Sequence, residues 1–201
     1  MENNAMIKAR ENMYLFLSDL YLVEVNEEKL QGLKQLEFPS EVDNEEMKEG
    51  YLKLSSYLAD KEVNQETLDE LAVDYARIFL SAGVASGKAA FPYASVYTSK
   101  QHLMMQEAGS SATAAYGAKG LTPRKDMYNV PEDHLGLLLE FMGRLCKEET
   151  SVQKQFLEEQ IASWVRAFAQ DVSKYATTDF YKGLAQLTKG FVTMEKAYLS
   201  K

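Results

Sequence analysis

The chain has 201 residues, of which 46% are apolar and 26% are charged, a balance that suits a folded globular protein and excludes a disordered or collagen-like one. Its longest nearly uninterrupted apolar runs hold four or five residues, far fewer than the roughly 20 that cross a bilayer as a helix, so we expect no membrane insertion. The net charge of -8 disfavours binding to nucleic acid and favours a cationic partner.

The chain termini and the cysteine content indicate the compartment. The first ten residues carry only Lys8 and Arg10 as cations and no apolar block before a cleavage site, so we expect no secretory leader and a cytoplasmic location. The single cysteine, Cys146, excludes an intramolecular disulfide and a cysteine-rich zinc or iron-sulfur site. We expect Cys146 to be a core thiol.

The spacing of apolar residues in the first 80 residues predicts helices. The first has Phe16, Leu17 and Leu20 on one face, and a short polar helix follows near residues 27–36. After Pro39, Ser40 is expected to cap a third helix, and Asn64 a fourth helix with a continuous apolar stripe.

The middle of the chain alternates between connections and helices. Residues 81–90 are rich in glycine, serine and alanine, which is typical of a loop or hinge, and residues 117–128 form a second exposed connection. A strong helix is predicted over residues 131–149, because Pro131 suits the first helical position and the acids behind it complement the helix dipole. Further helices are predicted near residues 150–168 and 180–194, so the chain is expected to be all-α.

Sequence patterns for phosphate or metal chemistry are incomplete. Residues 83–89 are one residue too short for a P-loop, follow a predicted helix and end in Ala89 where a hydroxyl is required. The residues three before His102 and His134 are not glutamates, which excludes the paired Glu-x-x-His sites of di-metal bundles. We therefore expect no cofactor, no metal and no catalytic residue.

Two features leave their interpretation open. Asp133 and His134 sit at a predicted helix start, where they either bind a ligand or only satisfy the dipole and a loop carbonyl. Residues 91–97 hold three aromatic rings and a proline, which either line an apolar groove for a peptide or pack into the core.

Three blocks of sequence carry a family resemblance. The first is DYARIFL at residues 74–80, with PYASVY at residues 92–97 after a loop; the second is PEDHLG at residues 131–136; the third is FYKGLAQLT at residues 180–188. They are similar to the patterns D-Y-x-R-L-F with P-x-x-S-V-Y/W, E-P-x-D-H and F-Y-x-x-L-A-x-L. In this order they resemble the TorD/DmsD/NarJ-type family of chaperones for molybdenum-cofactor oxidoreductases.

The resemblance implies a TorD-like bundle of about eight to ten helices. One domain is expected, with an N-terminal lobe at residues 1–80, a hinge at residues 81–93 and a C-terminal lobe at residues 94–201. The protein would be a chaperone and not an enzyme. It would bind the apo form or the twin-arginine leader of a molybdopterin- or tungstopterin-dependent oxidoreductase and delay export until cofactor insertion, as a monomer or a domain-swapped dimer.

The resemblance also suggests the binding residues. An apolar groove would take the apolar part of the leader, and Asp133 would attract its arginines. The residues expected to bind the client are Phe79, Leu80, Phe91, Pro92, Ser95, Tyr97, Asp133 and His134. Two other functions stay open at this point: an enzyme that uses Asp133 and His134 as an acid-base pair, and a helical adaptor for another basic partner.

Overall fold

The computed structural model describes residues 2–39, 41–80, 87–101, 103–104, 107–122 and 127–201. In these residues the regular structure consists of ten α-helices and one π-helical turn, without a strand, which confirms the all-α prediction. The elements are α1 (Glu2–Leu22), α2 (Glu27–Lys34), α3 (Glu45–Asp60), α4 (Gln65–Phe79), α5 (Ala94–Thr98), α6 (Glu107–Ala118), α7 (Leu135–Leu145), α8 (Thr150–Leu157), the π-helical turn (Glu158–Ala162), α9 (Val165–Tyr175) and α10 (Asp179–Tyr198). No helix in these ranges has an apolar stretch long enough to cross a membrane.

The chain forms two compact units. Unit 1 consists of Met1–Val23, Pro92–Trp164 and Glu195–Lys201, and unit 2 consists of Glu24–Phe91 and Val165–Met194. Unit 1 therefore combines α1 with α5 to α8 and the end of α10. Residues 81–86 of the expected hinge lie outside the described residues, and the division into two lobes stays a prediction.

Asparagine side chains set the starts of α2, α3 and α4. The Oδ1 atoms of Asn26, Asn44 and Asn64 accept the backbone N–H three residues further on, at 2.8, 3.0 and 2.9 Å. The predicted cap at Asn64 is confirmed. Ser40, the predicted cap of the third helix, lies outside the described residues; α3 begins at Glu45, and its N-cap residue is Asn44, which accepts the N–H of Met47.

The helix predicted over residues 131–149 is shorter than expected. The N–H of His134 donates to the carbonyl of Pro131 at 3.1 Å, and the carbonyl of Asp133 accepts the N–H of Ala94 at the same distance. These bonds hold the four residues before α7 in a turn. The helix therefore begins only after His134, which is its N-cap residue.

In unit 1, α1 lies directly against the start of α7. The hydroxyl of Ser18 donates to the carbonyl of Gly136 at 2.7 Å. A Cβ atom at Gly136 would lie 2.5 Å from Cγ of Leu22, so only glycine permits this approach. This contact holds α1 against the first turn of α7, next to His134.

A buried ion pair joins the two ends of the chain within unit 1. The guanidinium of Arg10 donates to the carboxylate of Glu195 at 2.7 to 3.0 Å and to Oε1 of Gln153 at 2.7 Å, and the hydroxyl of Tyr14 donates to Glu195 at 2.9 Å. Breaking a buried pair from one side leaves an uncompensated charge, so these contacts fix the register of α1, α8 and the end of α10. Cys146 is buried, as predicted, and burial raises the pKa of its thiol to about 11.

In unit 2, α3 and α10 meet backbone to backbone. A Cβ atom at Gly50 would lie 2.5 Å from the backbone nitrogen of Leu187, and one at Gly183 would lie 3.0 Å from the carbonyl oxygen of Gly50. The pair of glycines therefore permits an interhelical distance that no larger residue allows. The aromatic side chains of α4 pack beside this contact region, against Tyr181 of α10.

Candidate functional site

The segment before α5 is hydrogen-bonded to the turn before α7. The N–H of Leu135 donates to the carbonyl of Pro92 at 2.7 Å, and the N–H of Ala94 donates to the carbonyl of Asp133. The N–H of Ser95 donates to Oδ2 of Asp133 at 2.8 Å. The Asp133 carboxylate thus caps α5, a helix to which it does not belong, and joins two of the predicted site blocks.

Asp133 is fully buried and therefore presents no charge at the surface. Its relative exposure is 0%, and its second oxygen, Oδ1, has no hydrogen-bond partner, nor does the buried hydroxyl of Ser95. No basic side chain in the described part of the chain pairs with Asp133. Burial, together with the negative charge of Asp133, raises the pKa of Tyr93.

His134 is a neutral structural side chain. It is 4% exposed, its Nδ1 accepts the N–H of Gly136 at 3.1 Å, and its ring meets that of Tyr93 edge to face at 5.0 Å. Burial lowers the pKa of His134 to about 3, so the imidazole carries no charge at neutral pH. Such a group caps α7 but is a poor proton acceptor for acid-base chemistry.

Tyr97, on α5, is half-buried and stacks on the indole of Trp164, with ring centroids 5.5 Å apart. The indole N–H of Trp164 donates to the carbonyl of Gln160 in the π-helical turn at 2.7 Å, and the side chain of Gln160 donates to Ser111 of α6 at 2.7 Å. Tyr97 is thereby connected through Trp164 to two neighbouring elements of unit 1.

The remaining predicted residues, Phe79, Leu80, Phe91 and Pro92, differ in how much of their side chain is accessible. Pro92 is buried in unit 1. Phe79 is 2% exposed and stacks on Phe168 of α9. Phe91 is half-buried, whereas Leu80 is 45% exposed. The structure thus brings together Pro92, Ser95, Asp133 and His134 as one hydrogen-bonded cluster, with Tyr97 on the helix that the cluster caps.

Two cavities beside α6 were not predicted. One of about 520 Å³ is lined by Thr98, Ser99 and residues of α6, and a second of about 310 Å³ lies further along α6. The sequence signal for them is the run of small residues on α6, namely Ala108, Ser111, Ala115 and Ala118, whose spacings of 3, 4 and 3 place them on one helical face.

The chain matches the model of the family described as Nitrate reductase delta subunit over residues 40–170, which is more than half of its length.

The chain belongs to this family.

Relatives of this family member are named as chaperones. Chaperone protein TorD of Shewanella oneidensis is 32% identical in an alignment of 213 positions, which covers 100% of this chain and 95% of that protein. Chaperone protein TorD of Vibrio vulnificus is 26% identical over 217 residues, 98% of each chain, and that of Vibrio cholerae is 27% identical over 208 residues, 96% and 92%. The predicted family resemblance is confirmed.

Membership in a chaperone family also confirms that this protein is not an enzyme. The alternative in which Asp133 and His134 act as a catalytic acid-base pair is therefore wrong, which agrees with the burial and the low pKa of His134. Among the described residues, no group of three or more histidine, cysteine or acidic side chains could hold a metal ion.

In this member of the Nitrate reductase delta subunit family, the first sequence block is hydrogen-bonded to the connection that precedes the third block, within unit 2. The carboxylate of Asp74 accepts the N–H groups of Thr177 and Thr178, at 3.0 and 2.8 Å, and the hydroxyl of Thr178 at 2.7 Å. Arg77 donates to the carbonyl of Tyr175 at 2.7 Å. Asp74 and Arg77 therefore link α4 to the connection between α9 and α10.

Proposed function

We propose that this protein is a maturation chaperone that binds the apo form of a molybdopterin-dependent oxidoreductase and the twin-arginine leader of that client, and delays export until the cofactor is inserted. The observation that carries the proposal is the similarity to TorD chaperones along nearly the whole chain. The protein acts in the cytoplasm, where the client is synthesised, as a monomer or a domain-swapped dimer.

The eight predicted residues divide into two roles. Leu80, Phe91 and Tyr97 are exposed or half-buried, and their accessible apolar surface supports direct contact with the client. The other five are buried: Phe79, Pro92, Ser95, Asp133 and His134. Their role is to position the segments that carry the contacting side chains, because a side chain without accessible surface gives a rigid partner no contact.

The charge of the protein supports a basic client segment. The chain carries 30 acidic and 22 basic residues, and a twin-arginine leader is cationic where the arginines lie. Attraction between opposite charges steers the encounter of leader and protein. Because salt screens this attraction, leader binding decreases as ionic strength rises. Apolar contacts at Leu80, Phe91 and Tyr97 supply the part of the affinity that salt does not remove.

Fluorescence anisotropy tests this proposal. The probe is a labelled synthetic peptide with two adjacent arginines followed by about 12 apolar residues. We expect saturable binding to the wild-type protein, and a Kd raised about tenfold by Tyr97→Ala. Tyr175→Ala, which removes a half-buried tyrosine of unit 2, is the matched control and should change the Kd by less than about twofold.

The outcomes distinguish recognition of the leader from recognition of the client body. If the protein binds the apo-oxidoreductase but not the leader peptide, leader recognition is wrong and recognition of the client body stands. If it binds neither, the proposed function is wrong. If Tyr97→Ala and Tyr175→Ala bind the leader as tightly as the wild-type protein, Tyr97 is not a contact residue.

A further inference from the structure

The two cavities adjoin each other along α6. Ser111, Glu159 and Gln160 line both cavities. The small residues from Ala108 to Ala118 line the groove on one side, which gives it a length of about 15 Å at the standard helical rise of 1.5 Å per residue. We call this feature the α6 groove; it lies entirely within unit 1.

The opposite wall of the α6 groove is built by α8 and the π-helical turn. Val152, Phe156 and Glu159 line this wall. Within the turn, Gln160 is buried, and its side chain donates to the hydroxyl of Ser111 at 2.7 Å, where the two cavities meet. π-Helical turns are rare and frequently occur at functional sites, and this one places Glu159 on the groove while Gln160 anchors it.

The α6 groove changes from polar to apolar along its length. The end near α5 is lined by Thr98, Ser99, Lys100 and the two exposed carboxylates Glu107 and Glu159. The other end is lined by the apolar side chains Ala115, Phe141, Leu145, Val152 and Phe156, with Gln155 and Lys119 beside them. Lys119 is neutralised by Glu148 at 2.6 Å, and Glu107 and Glu159 outnumber Lys100 at the polar end.

We infer that the α6 groove binds a helical segment of the client in which basic residues are followed by an apolar face. The inference rests on the proposed function and adds a docking surface to it. The basic residues lie against Glu107 and Glu159, and the apolar face lies against Ala115, Ala118 and Val152, the accessible apolar side chains of the other end. The order of a twin-arginine leader, with arginines before an apolar stretch, matches this order of polar and apolar surface.

The length of the groove accommodates a short helix. About three helical turns, or ten residues, cover 15 Å, whereas an extended chain covers that length with only about five residues. The small side chains of α6 let a helix approach to the short interaxial distances seen at helix contacts. An amphipathic helix in an apolar groove is a common mode of peptide recognition.

The groove continues from the segment that carries Tyr97. Thr98 and Ser99 follow Tyr97 directly and line the polar end, and Ala94 at the start of α5 lines it as well. The exposed apolar side chains of Leu103 and Met104, at 57% and 43%, follow Gln101 of the same lining. A segment bound at the polar end therefore lies beside α5, the helix that carries Tyr97.

A pair of tryptophan substitutions on α6 tests the inference. Ala118→Trp places an indole in the apolar end of the groove, and Thr113→Trp places one on the opposite, exposed face of α6, which lines neither cavity. With the labelled leader peptide, we expect Ala118→Trp to raise the Kd at least about tenfold and Thr113→Trp to change it by less than about twofold.

Charge reversal provides a second test that does not depend on the tryptophan variants folding. The double variant Glu107→Arg and Glu159→Arg should weaken leader binding, whereas Glu41→Arg, at an exposed acid of unit 2, should not. A peptide in which glutamates replace the arginine pair should bind the double variant more tightly than it binds the wild-type protein.

The results distinguish this inference from the proposed function. If the wild-type protein binds the leader, and the groove variants bind it as tightly as their controls, the α6 groove is not the docking surface and the proposed function stands. If the wild-type protein binds no leader, leader recognition and the groove inference are both wrong. Selective loss in Ala118→Trp or in the charge-reversed variant supports the groove.

Discussion

The carboxylate of Asp133 accepts the backbone N–H of Ser95 at 2.8 Å, although 38 residues separate them in the sequence. Asp133 immediately precedes His134, which is the N-cap residue of α7. Asp133 itself caps α5. One buried acid therefore sets the relation between the helix that carries Tyr97 and the first turn of α7. Two of the sequence blocks that carry the family resemblance are joined by this bond.

Removing the Asp133 carboxylate should destabilise the protein. Asp133→Ala leaves the N–H of Ser95 buried without an acceptor, and we expect the free energy of unfolding to fall by about 2 kcal/mol. Asp133→Asn keeps an acceptor oxygen and should cost less. Urea unfolding measures both, with Asp60→Ala, at an exposed acid ending α3, as the control. Unchanged stability in Asp133→Ala together with lost leader binding would show instead that Asp133 contacts the client.

His134 should make stability depend on pH. Because its folded pKa is about 3, below the unfolded value of 6.5, the neutral form stabilises the fold fully above 6.5, and this stabilisation is lost as the pH falls from 6.5 towards 3. At pH 5 the loss is about 2 kcal/mol. Chemical unfolding at pH 7 and pH 5 measures it, and His134→Asn should remove most of the difference. His102→Asn is the control, and a loss of the difference in that variant would contradict the assignment.

Asp74 should stabilise unit 2 through its ionised form. Burial alone would raise the pKa of Asp74, but the N–H groups of Thr178 and Thr177 and the hydroxyl of Thr178 lower it below 3.8. Its contribution is therefore present above pH 3.8 and is lost as the pH falls through the folded pKa. We expect Asp74→Ala to lower the free energy of unfolding by about 3 kcal/mol near neutral pH. A melting temperature equal to that of the wild-type protein would contradict the role of Asp74.

Glycine at position 50 should be required for the contact between α3 and α10. A Cβ atom there would lie 2.5 Å from the backbone nitrogen of Leu187, and backbone atoms cannot move aside as a flexible side chain can. We expect Gly50→Ala to cost about 3 kcal/mol. Gly32→Ala is the matched control, because no atom lies within 4 Å of its Cβ position, and it should stabilise α2 by about 0.5 kcal/mol or more. Thermal unfolding compares the two, and equal effects would contradict the close approach.

Most helices could be predicted from the sequence, because amphipathic spacing reports burial of one face. The start of a helix is harder to predict where several residues near it could each be the N-cap. Pro131 and the acids behind it are typical of a first helical turn, yet Asp133 caps a different helix. A bond of that range has no signal in local spacing, so the predicted start of α7 was wrong.

The sequence identified residues of the candidate site but not their burial or the groove beside them. Family-type motifs identified Ser95, Asp133 and His134, but only the coordinates show that these residues are buried. The α6 groove depends on the π-helical turn opposite α6, which no periodic pattern in the sequence predicts. The small residues on α6 were visible, but a stripe of small residues alone does not distinguish a groove from a packed contact.

The central claim is recognition of an unfinished oxidoreductase and its leader. Isothermal titration calorimetry of the wild-type protein against a twin-arginine leader peptide and against the apo-molybdoenzyme from the same cell tests it most directly. We expect saturable binding to both, weakened by salt for the leader and lost once the client holds its cofactor. No binding to any twin-arginine leader or apo-molybdoenzyme of that cell would contradict the proposed function.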